Sequence, residues 1–334
     1  MAKNINLDIV RIFATFLVLT VHISQQVGFN FAVGAKGVQI FFILSGYLSF
    51  KSLAKESSPM KYYRNRLIRI LPTYWFCLAL VYAKDLLLGI HTTSISATLK
   101  GQCSYKFLRY VFLIHDVIPS DNWDLWNNHN ALWTMSCFYI FYILAPFLYK
   151  IIKKFYLGLF LLYILIYIRQ PLAWELQKFF AFYPPEAHID WYSKMNPFME
   201  LYCFLFGAIL YLAIKENKQH VYAIVTILTI ALTDGSKYLY ELLSVLLIYI
   251  AVSQQPFLEN KKLRHIINTT SKTSFTLYLL HPLILQIYGL LKLDINSKFI
   301  YVLLLYTSCV FISFILYYGI IVKIENSICK LVHH

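Results

Sequence analysis

Long apolar runs, separated by short polar segments, make up most of the sequence. A helix needs about 20 apolar residues to cross the hydrocarbon core of a bilayer. Ten runs approach that length, and the run at 219–233 is the shortest of them. We therefore predict an all-α fold, a polytopic transmembrane bundle of about ten helices. The predicted spans are 8–27, 37–54, 71–90, 131–149, 155–170, 196–214, 219–233, 238–254, 273–291 and 299–322.

Lysine and arginine are unevenly distributed among the segments that join these runs. If the N-terminus lies in the cytoplasm, 18 of the 30 basic residues fall on inner segments and 11 on outer ones, with Arg11 inside a span. The outer segments are also longer, so positive charge is denser on the inner side. By the positive-inside rule, both termini are predicted to be cytoplasmic.

The composition narrows the class of protein further. Hydrophobic residues make up 59% of the chain and charged residues 14%, whereas soluble domains carry about 25% charged residues. The net charge of +14 does not indicate a nucleic-acid partner, because the basic residues lie between apolar runs and suit an anionic membrane surface. No CxxC pair occurs, so neither a disulfide framework nor a metal site is expected. We predict a single membrane domain, 1–334, without an appended soluble domain.

Two of the predicted outer loops are long, at 91–130 and 171–195. The first combines carboxylates, a histidine and tryptophans, which are typical both of sugar-binding sites and of ordinary interfacial loops. The residues concerned are Asp116, Asp121, Asp124, His129, Trp123 and Trp126.

Ionisable side chains inside the first predicted span need an explanation, because each costs several kcal/mol in a bilayer. Arg11 and His22 are eleven residues apart, which is close to three helical turns, so they project from one face about 16 Å apart. Asp8 lies one turn before Arg11 and can pair with it. Alternatively, Arg11 reaches back to the inner surface and His22 is hydrogen-bonded in the core.

The ninth predicted span contains a second histidine, followed by a proline. Pro282 has no N–H, so the carbonyl of Tyr278 loses its helical donor and the helix tends to kink. Together with His22, His281 indicates a polar cavity between the helices, although a His-Pro pair can also be purely structural.

A basic, tyrosine-rich segment reads MKYYRNRLIRILPTYW and is predicted to be an inner loop before the third span. Arg66 and Arg69 are one helical turn apart and, with Arg64, can bind an anion through their planar guanidinium groups. The positive-inside rule alone also accounts for these arginines.

Six motifs resemble, in order, those of the acyltransferase 3 family of integral-membrane acyltransferases, and the match covers nearly the whole chain. The motifs are LDIVRIFATFLVLTVH, GVQIFFILSGYL, YYRNRLIRILPTYW, NPFMELYCFLFGAIL, SFTLYLLHPLI and KIENSI.

The resemblance implies transfer of an acyl group, usually acetyl from acetyl-CoA, to a hydroxyl of an envelope carbohydrate in the bacterial inner membrane. Typical acceptors are O-antigen, capsule, exopolysaccharide and peptidoglycan. Acetyl-CoA or another acyl-CoA is expected as donor substrate, with no permanently bound cofactor. Arg11 and His22 match the family's essential pair, and Arg66 and Arg69 its cytoplasmic R-x-x-R. The supporting candidates are Asp8, Ser45, Tyr47, Trp133, Glu200, Tyr278 and His281.

One motif departs from the family pattern. After Trp133, many members carry acidic residues where this chain has Phe138 and Tyr139, which leaves open a divergent subgroup or lost activity. A catalytically inactive scaffold is therefore one alternative. A transporter or flippase of a lipid-linked sugar or small metabolite is another, although the inverted repeats common in that class are not visible.

Overall fold

The computed structural model of the chain describes residues 4–56, 58–87, 108–117, 131–179, 196–232, 238–255, 260–291, 293 and 297–333. Every regular element within these ranges is helical, which confirms the all-α prediction. The helices are α1 (Ile5–Gln26), α2 (Gly37–Leu53), α3 (Pro59–Leu87), α4 (Trp133–Ile151), α5 (Phe155–Phe179), α6 (Pro197–Lys215), α7 (Gln219–Leu232), α8 (Leu239–Ser253), α9 (Lys261–Leu291), α10 (Lys298–Leu316) and α11 (Val322–His333). A 3-10 turn (Ala32–Lys36) precedes α2, and a π turn (Tyr317–Ile321) joins α10 to α11.

Each of the ten predicted spans corresponds to a helix, but not every helix is long enough to cross a bilayer. In the described part of the chain, three apolar helices are shorter than a full span: Phe155–Arg169, Gln219–Leu228 and Leu239–Ser253. The 7 segments that are long and apolar enough are Ile5–Gln26, Ala32–Leu53, Pro59–Lys84, Trp133–Ile151, Pro197–Lys215, Lys261–Leu291 and Lys298–Lys330.

Two helices begin well before the predicted spans. The prediction of an inner loop around Arg64–Arg69 was wrong, because α3 begins at Pro59 and already contains these residues. Proline suits the first helical position, and Arg, Lys and Leu favour helix. Likewise, α9 begins at Lys261 and not at residue 273. Hydropathy identifies only the apolar part of each helix. The polar first turns of α3 and α9 were therefore not predicted to be helical.

The chain divides into two compact units. Unit 1 comprises Met1–Ser57, Ala145–Leu162 and Tyr202–Tyr317. Unit 2 comprises Ser58–Leu144, Tyr163–Leu201 and Tyr318–His334. Each unit contains different residues among those that the sequence singled out.

Helices α1 and α9 of unit 1 run parallel to each other. Along α1, residues 11, 22 and 26 meet residues 271, 281 and 285 of α9, so both numbers rise together. Helix α8 runs the opposite way, because the Asn6 side chain at the start of α1 donates to Ala251 O near the end of α8 (3.2 Å). Helix α10 is also antiparallel to α1: Tyr301 meets Gln26, and Tyr306 meets Thr20.

These directions constrain how many helices cross the membrane. Two parallel spans must be separated by an odd number of crossings, whereas only four of the long segments lie between α1 and α9. The parallel direction of α1 and α9 is therefore the one expected if an odd number of further segments crosses between them. The directions of α1, α8, α9 and α10 agree with the alternation expected for the first, eighth, ninth and tenth of ten spans.

Glycines bring α2 and α6 together in unit 1. A Cβ on Gly46 would collide with the backbone of Phe204, and one on Gly207 would collide with the backbone of Ile43. Small residues at such a crossing let two membrane helices approach closely. Gly46 and Gly207 therefore permit the close packing of α2 against α6.

Candidate active site

Arg11 is held between α1 and α9 by a buried acid and a serine. Its Nη1 donates to Asp8 Oδ1 (3.0 Å) and to Ser271 Oγ (3.3 Å). The Ser271 hydroxyl in turn donates to the same Asp8 oxygen (2.6 Å). Arg11 is only 15% exposed and Asp8 only 2%. The predicted Asp8–Arg11 pair is confirmed, and the guanidinium is held by Asp8 and Ser271 within unit 1.

Ser271 was not among the residues that the sequence singled out. Its position nevertheless carries a signal, because it precedes His281 by ten residues, nearly the same interval that separates Arg11 from His22. Because α1 and α9 run parallel and the two intervals nearly match, Ser271 meets Arg11 at one level and His281 meets His22 three turns further along. The match can be recognised only when α1 and α9 are known to be neighbours.

Three turns along α1, His22 faces His281 of α9. The ring centroids are 5.0 Å apart and the ring planes are inclined at 40°. His281 is 1% exposed, whereas His22 is half-buried. The structure thus brings the two predicted histidines together within the span.

His281 repairs the helix at the proline that follows it. Pro282 lacks the N–H that would bind the carbonyl of Tyr278, and His281 Nδ1 lies 2.7 Å from that oxygen. A carbonyl oxygen only accepts hydrogen bonds, so Nδ1 carries the proton and Nε2 keeps the lone pair. Helix α9 continues through this point to Leu291. The structural role proposed for the His-Pro pair is therefore real, and it also fixes the His281 tautomer.

Three of the supporting candidates, Ser45, Tyr47 and Tyr278, carry hydroxyl groups that could donate to an oxyanion, and their surroundings differ. The buried Tyr278 ring lies 6.0 Å from the His281 ring and packs edge-on against Phe41 of α2. Tyr47 packs against Tyr211 of α6, with the Lys51 ammonium over its ring. Ser45 is half-buried on α2. Tyr278 therefore has the position best suited to the histidine pair.

Unit 2 holds the predicted anion-binding arginines on the first turns of α3. Arg64 is half-buried, and Arg69 is exposed and electrostatically coupled to Glu325 of α11. Arg66 differs from both, because its guanidinium lies over the rings of Tyr62 and Tyr142, 5.2 Å from each. It also lines an apolar cavity.

The remaining predicted residues of unit 2 lie around the start of α4. Trp133 is the first residue of α4 and is half-buried. Glu200, in the first turn of α6, is 5% exposed and lies close enough to Cys137 for the two groups to interact electrostatically. Where many family members carry acids, Phe138 stacks on Tyr142 and Tyr139 lines the cavity beside Arg66.

A polar cluster in the segment 108–117 was not predicted. His115 Nε2 lies 3.0 Å from Leu132 O and 3.2 Å from Asp116 Oδ2, and Ser136 Oγ lies 3.2 Å from Nδ1 of the same ring. Burial lowers the pKa of His115 to about 3 and raises the pKa of Asp116 to about 7, the latter partly opposed by Arg109. His115 is thus neutral at neutral pH, so its 3.2 Å contact with Asp116 is not an ion pair.

Asp116 is therefore turned into the protein at this point, which favours the structural interpretation of this loop carboxylate over a sugar contact. The other candidates of that loop, Asp121, Asp124, His129, Trp123 and Trp126, lie outside the described residues. Within the described ranges, no group of three or more His, Cys, Asp or Glu side chains could hold a metal ion.

The chain has several apolar helices of membrane-spanning length. Between two of them lie a buried Arg–Asp–Ser contact and a histidine pair. These features define a polytopic membrane protein with an internal polar site. Residues 4–318 match the acyltransferase 3 family, described as an acyltransferase domain, and the chain belongs to that family. This confirms the resemblance seen in the six motifs.

Among curated proteins, the exopolysaccharide production protein ExoZ of Rhizobium meliloti (strain 1021) is 32% identical over 63 residues. The matched stretch covers 19% of this chain and only 20% of ExoZ. No solved structure matches the chain.

Proposed function

We propose that this protein is an O-acyltransferase of the bacterial inner membrane. It moves an acyl group, in the first instance acetyl, from cytoplasmic acyl-CoA to a hydroxyl of a cell-surface or lipid-linked carbohydrate. The observation that carries the proposal is the His22–His281 pair, 5.0 Å apart inside a chain of the acyltransferase family. The relative's name, an exopolysaccharide production protein, supports a carbohydrate as acceptor.

In this proposal His22 is the general base. It takes the proton of the sugar hydroxyl as the oxygen attacks the thioester carbonyl, and a C–O bond forms while the C–S bond breaks. The proton then passes from the imidazolium to the departing CoA thiolate. An acyl-His22 intermediate is the alternative route, in which the ring nitrogen attacks first and the sugar oxygen second. Imidazole can serve in either role, since it accepts a proton through its lone pair and can also attack as a nucleophile.

His281 positions His22 in this scheme. Its Nδ1 proton is committed to the Tyr278 carbonyl, which fixes the orientation of the His281 ring and leaves the lone pair of the neutral ring on Nε2. Packed against this fixed ring, His22 is held in place to accept a proton. Tyr278, next in the same helix turn, is the candidate donor to the developing oxyanion.

Arg11 acts on a different part of the donor. Eleven residues of helix separate it from His22, or about 16 Å, so it does not touch the reacting carbonyl. The pantetheine arm of CoA is about 15–20 Å long by chain geometry, which matches that interval. Arg11 is therefore assigned to the phosphate end of that arm. Asp8 and Ser271 hold the guanidinium in place. An anion site at Arg64, Arg66 and Arg69 of unit 2 stays a separate prediction.

The composition of the surface carbohydrate tests this function directly. Cells that contain the protein should carry acyl groups on their envelope polysaccharide, and cells that lack it should make the same polysaccharide without them. Mass spectrometry of the purified polysaccharide measures the difference and identifies the acyl group. Loss of the whole polysaccharide from the surface, with its acylation unchanged in the cytoplasm, would instead indicate transport.

A further inference from the structure

A cavity of about 270 Å³ lies between α3 and α4 in unit 2. Tyr63, Arg66, Leu67, Ile70 and Leu71 line it from α3. They are spaced three and four residues apart, so they form one continuous stripe along that helix. Tyr139, Tyr142 and Ile143 form the corresponding stripe on α4. Apart from Arg66 and the tyrosine hydroxyls, the walls offer only hydrocarbon.

Two further contacts shape this α3–α4 cavity. The Tyr63 hydroxyl donates to Ile143 O across the gap (2.9 Å), which ties one helix to the other at the rim. Leu113, from the segment 108–117, forms a third wall and adopts a φ of 57°. A positive φ is costly for leucine and persists only where the surroundings enforce it. The cavity is thus built by three separate segments.

The cavity opens where its rim residues are exposed. Leu67 is 39% exposed and Ile143 is 43% exposed. Both belong to helices that are long and apolar enough to cross a membrane. In a helix that crosses a bilayer, an exposed apolar residue is expected to face hydrocarbon, which would let a lipid chain enter from the side.

The charge around the cavity selects a headgroup. From Pro59 to Pro72, α3 carries Lys61, Arg64, Arg66 and Arg69 and no acidic residue. Arg66 contributes its guanidinium directly to the wall of the cavity, between the rings of Tyr62 and Tyr142. An arginine so placed offers charge-assisted hydrogen bonds to phosphate oxygens.

We propose that the α3–α4 cavity binds one hydrocarbon chain of an anionic phospholipid and that Arg66 contacts the phosphate of that lipid. The volume is just below the roughly 300–1,000 Å³ of typical small-molecule sites, which suits one chain segment and not a CoA nucleotide. The lipid fills the gap between the two helices and neutralises part of the charge on α3. It is a bound component separate from the acyl donor and acceptor.

Photolabelling in vesicles tests this site. The probe is phosphatidylglycerol with a diazirine midway along one acyl chain, and diacylglycerol with the same labelled chain is the comparison. Phosphatidylglycerol should label peptides containing residues 63–71 and 139–143. Diacylglycerol should label them about tenfold less, the ratio that corresponds to one contact of about 1.4 kcal/mol. Arg66→Gln should make the two probes label these peptides equally.

A blocking variant and a matched control accompany the labelling. Ile70→Trp fills the cavity and should abolish labelling of both peptides, whereas Met60→Trp, at an exposed position of the same helix, should leave it unchanged. His22→Ala should also label normally, so failure of the lipid site and failure of the acyl-transfer proposal are distinguishable.

Two results would overturn the proposal. One is labelling spread evenly over the exposed faces of other helices, such as α7, and insensitive to Ile70→Trp and Arg66→Gln. The other is displacement of the label by excess palmitoyl-CoA but not by excess phosphatidylglycerol. That result would assign the cavity to a long-chain acyl donor.

Discussion

Arg11 shows how a single charged residue is accommodated inside a membrane helix. A lone arginine at the centre of a membrane helix costs about 2.5–3.5 kcal/mol on insertion scales. Here Asp8 supplies the opposite charge one turn away, and Ser271 bonds to both partners from α9. The Arg11 site is therefore formed by the Asp8–Arg11 pair within α1 and by Ser271 of α9, the helix that runs parallel to it.

His115 and Asp116 influence stability in opposite directions as the pH changes. Burial raises the pKa of Asp116 to about 7 in the folded protein. The unfolded chain releases this proton near pH 4, so the stability of the fold falls as the pH rises from about 4 to 7. The pKa of His115 is lowered to about 3, mainly by burial, so stability rises with pH up to about 6.5. Between about pH 4 and 6.5 the two slopes oppose each other.

Removing either group should expose the slope of the other. Asp116→Asn should become more stable as pH rises from about 3 to 6.5, and His115→Gln should become less stable from about pH 4 to 7. Each slope is at most about 1.4 kcal/mol per pH unit. The Tm in detergent across this range measures both variants against the unchanged protein. Identical pH profiles for the two variants would show that neither group titrates as described.

At the scale of helices, the α2–α6 contact depends on two glycines. Gly46 and Gly207 each lie against backbone atoms of the opposite helix, namely those of Phe204 and Ile43. Backbone cannot rotate away as a flexible side chain can, so an added methyl group must push the helices apart. Overpacking of this kind typically costs about 1–3 kcal/mol.

Gly46→Ala should therefore lower the Tm in detergent, and Gly207→Ala should do the same. Gly319→Ala is the matched control, because nothing lies within 4 Å of a Cβ at that glycine. An unchanged Tm for Gly46→Ala and Gly207→Ala, with the helices still in contact, would show that the crossing is looser than described.

Helix positions were predictable from the sequence, whereas helix ends and neighbours were not. Apolar length places every span, but the polar first turns of α3 and α9 look like loop to a hydropathy criterion. The Asp8–Arg11 pair was predictable because both residues lie on one helix. Ser271 and the partner of His22 depend on which helices touch, and the spacing of residues along the chain does not show this. The surroundings of Arg66 differ from those of Arg64 and Arg69 because Tyr62 of α3 and Tyr142 of α4 lie against its guanidinium.

At the scale of the whole chain, the parallel arrangement of α1 and α9 determines the topology. Phe29 follows α1 and is 65% exposed, and Leu291 ends α9 and is 58% exposed. Parallel spans place these two residues on the same side of the membrane and Lys261, at the start of α9, on the opposite side. If only the seven long segments crossed, Phe29 and Leu291 would lie on opposite sides.

Cysteine labelling in intact cells tests this arrangement. In a background without the native cysteines, Phe29→Cys and Leu291→Cys should react alike with a membrane-impermeant maleimide. With the predicted cytoplasmic N-terminus, both should react from outside, and Lys261→Cys should react only after the membrane is permeabilised. Reaction of Phe29→Cys and Lys261→Cys from the same side would contradict the parallel pair.

The central claim is that His22, placed against His281 in a polar site, removes the proton from the acceptor hydroxyl. Purified protein in lipid vesicles should transfer radiolabel from acetyl-CoA to the carbohydrate isolated from cells that lack the protein. His22→Ala should reduce this transfer at least about 10²-fold at an equal amount of folded protein. His265→Ala, an exposed histidine of α9, should retain full transfer. Undiminished transfer by His22→Ala would contradict the account.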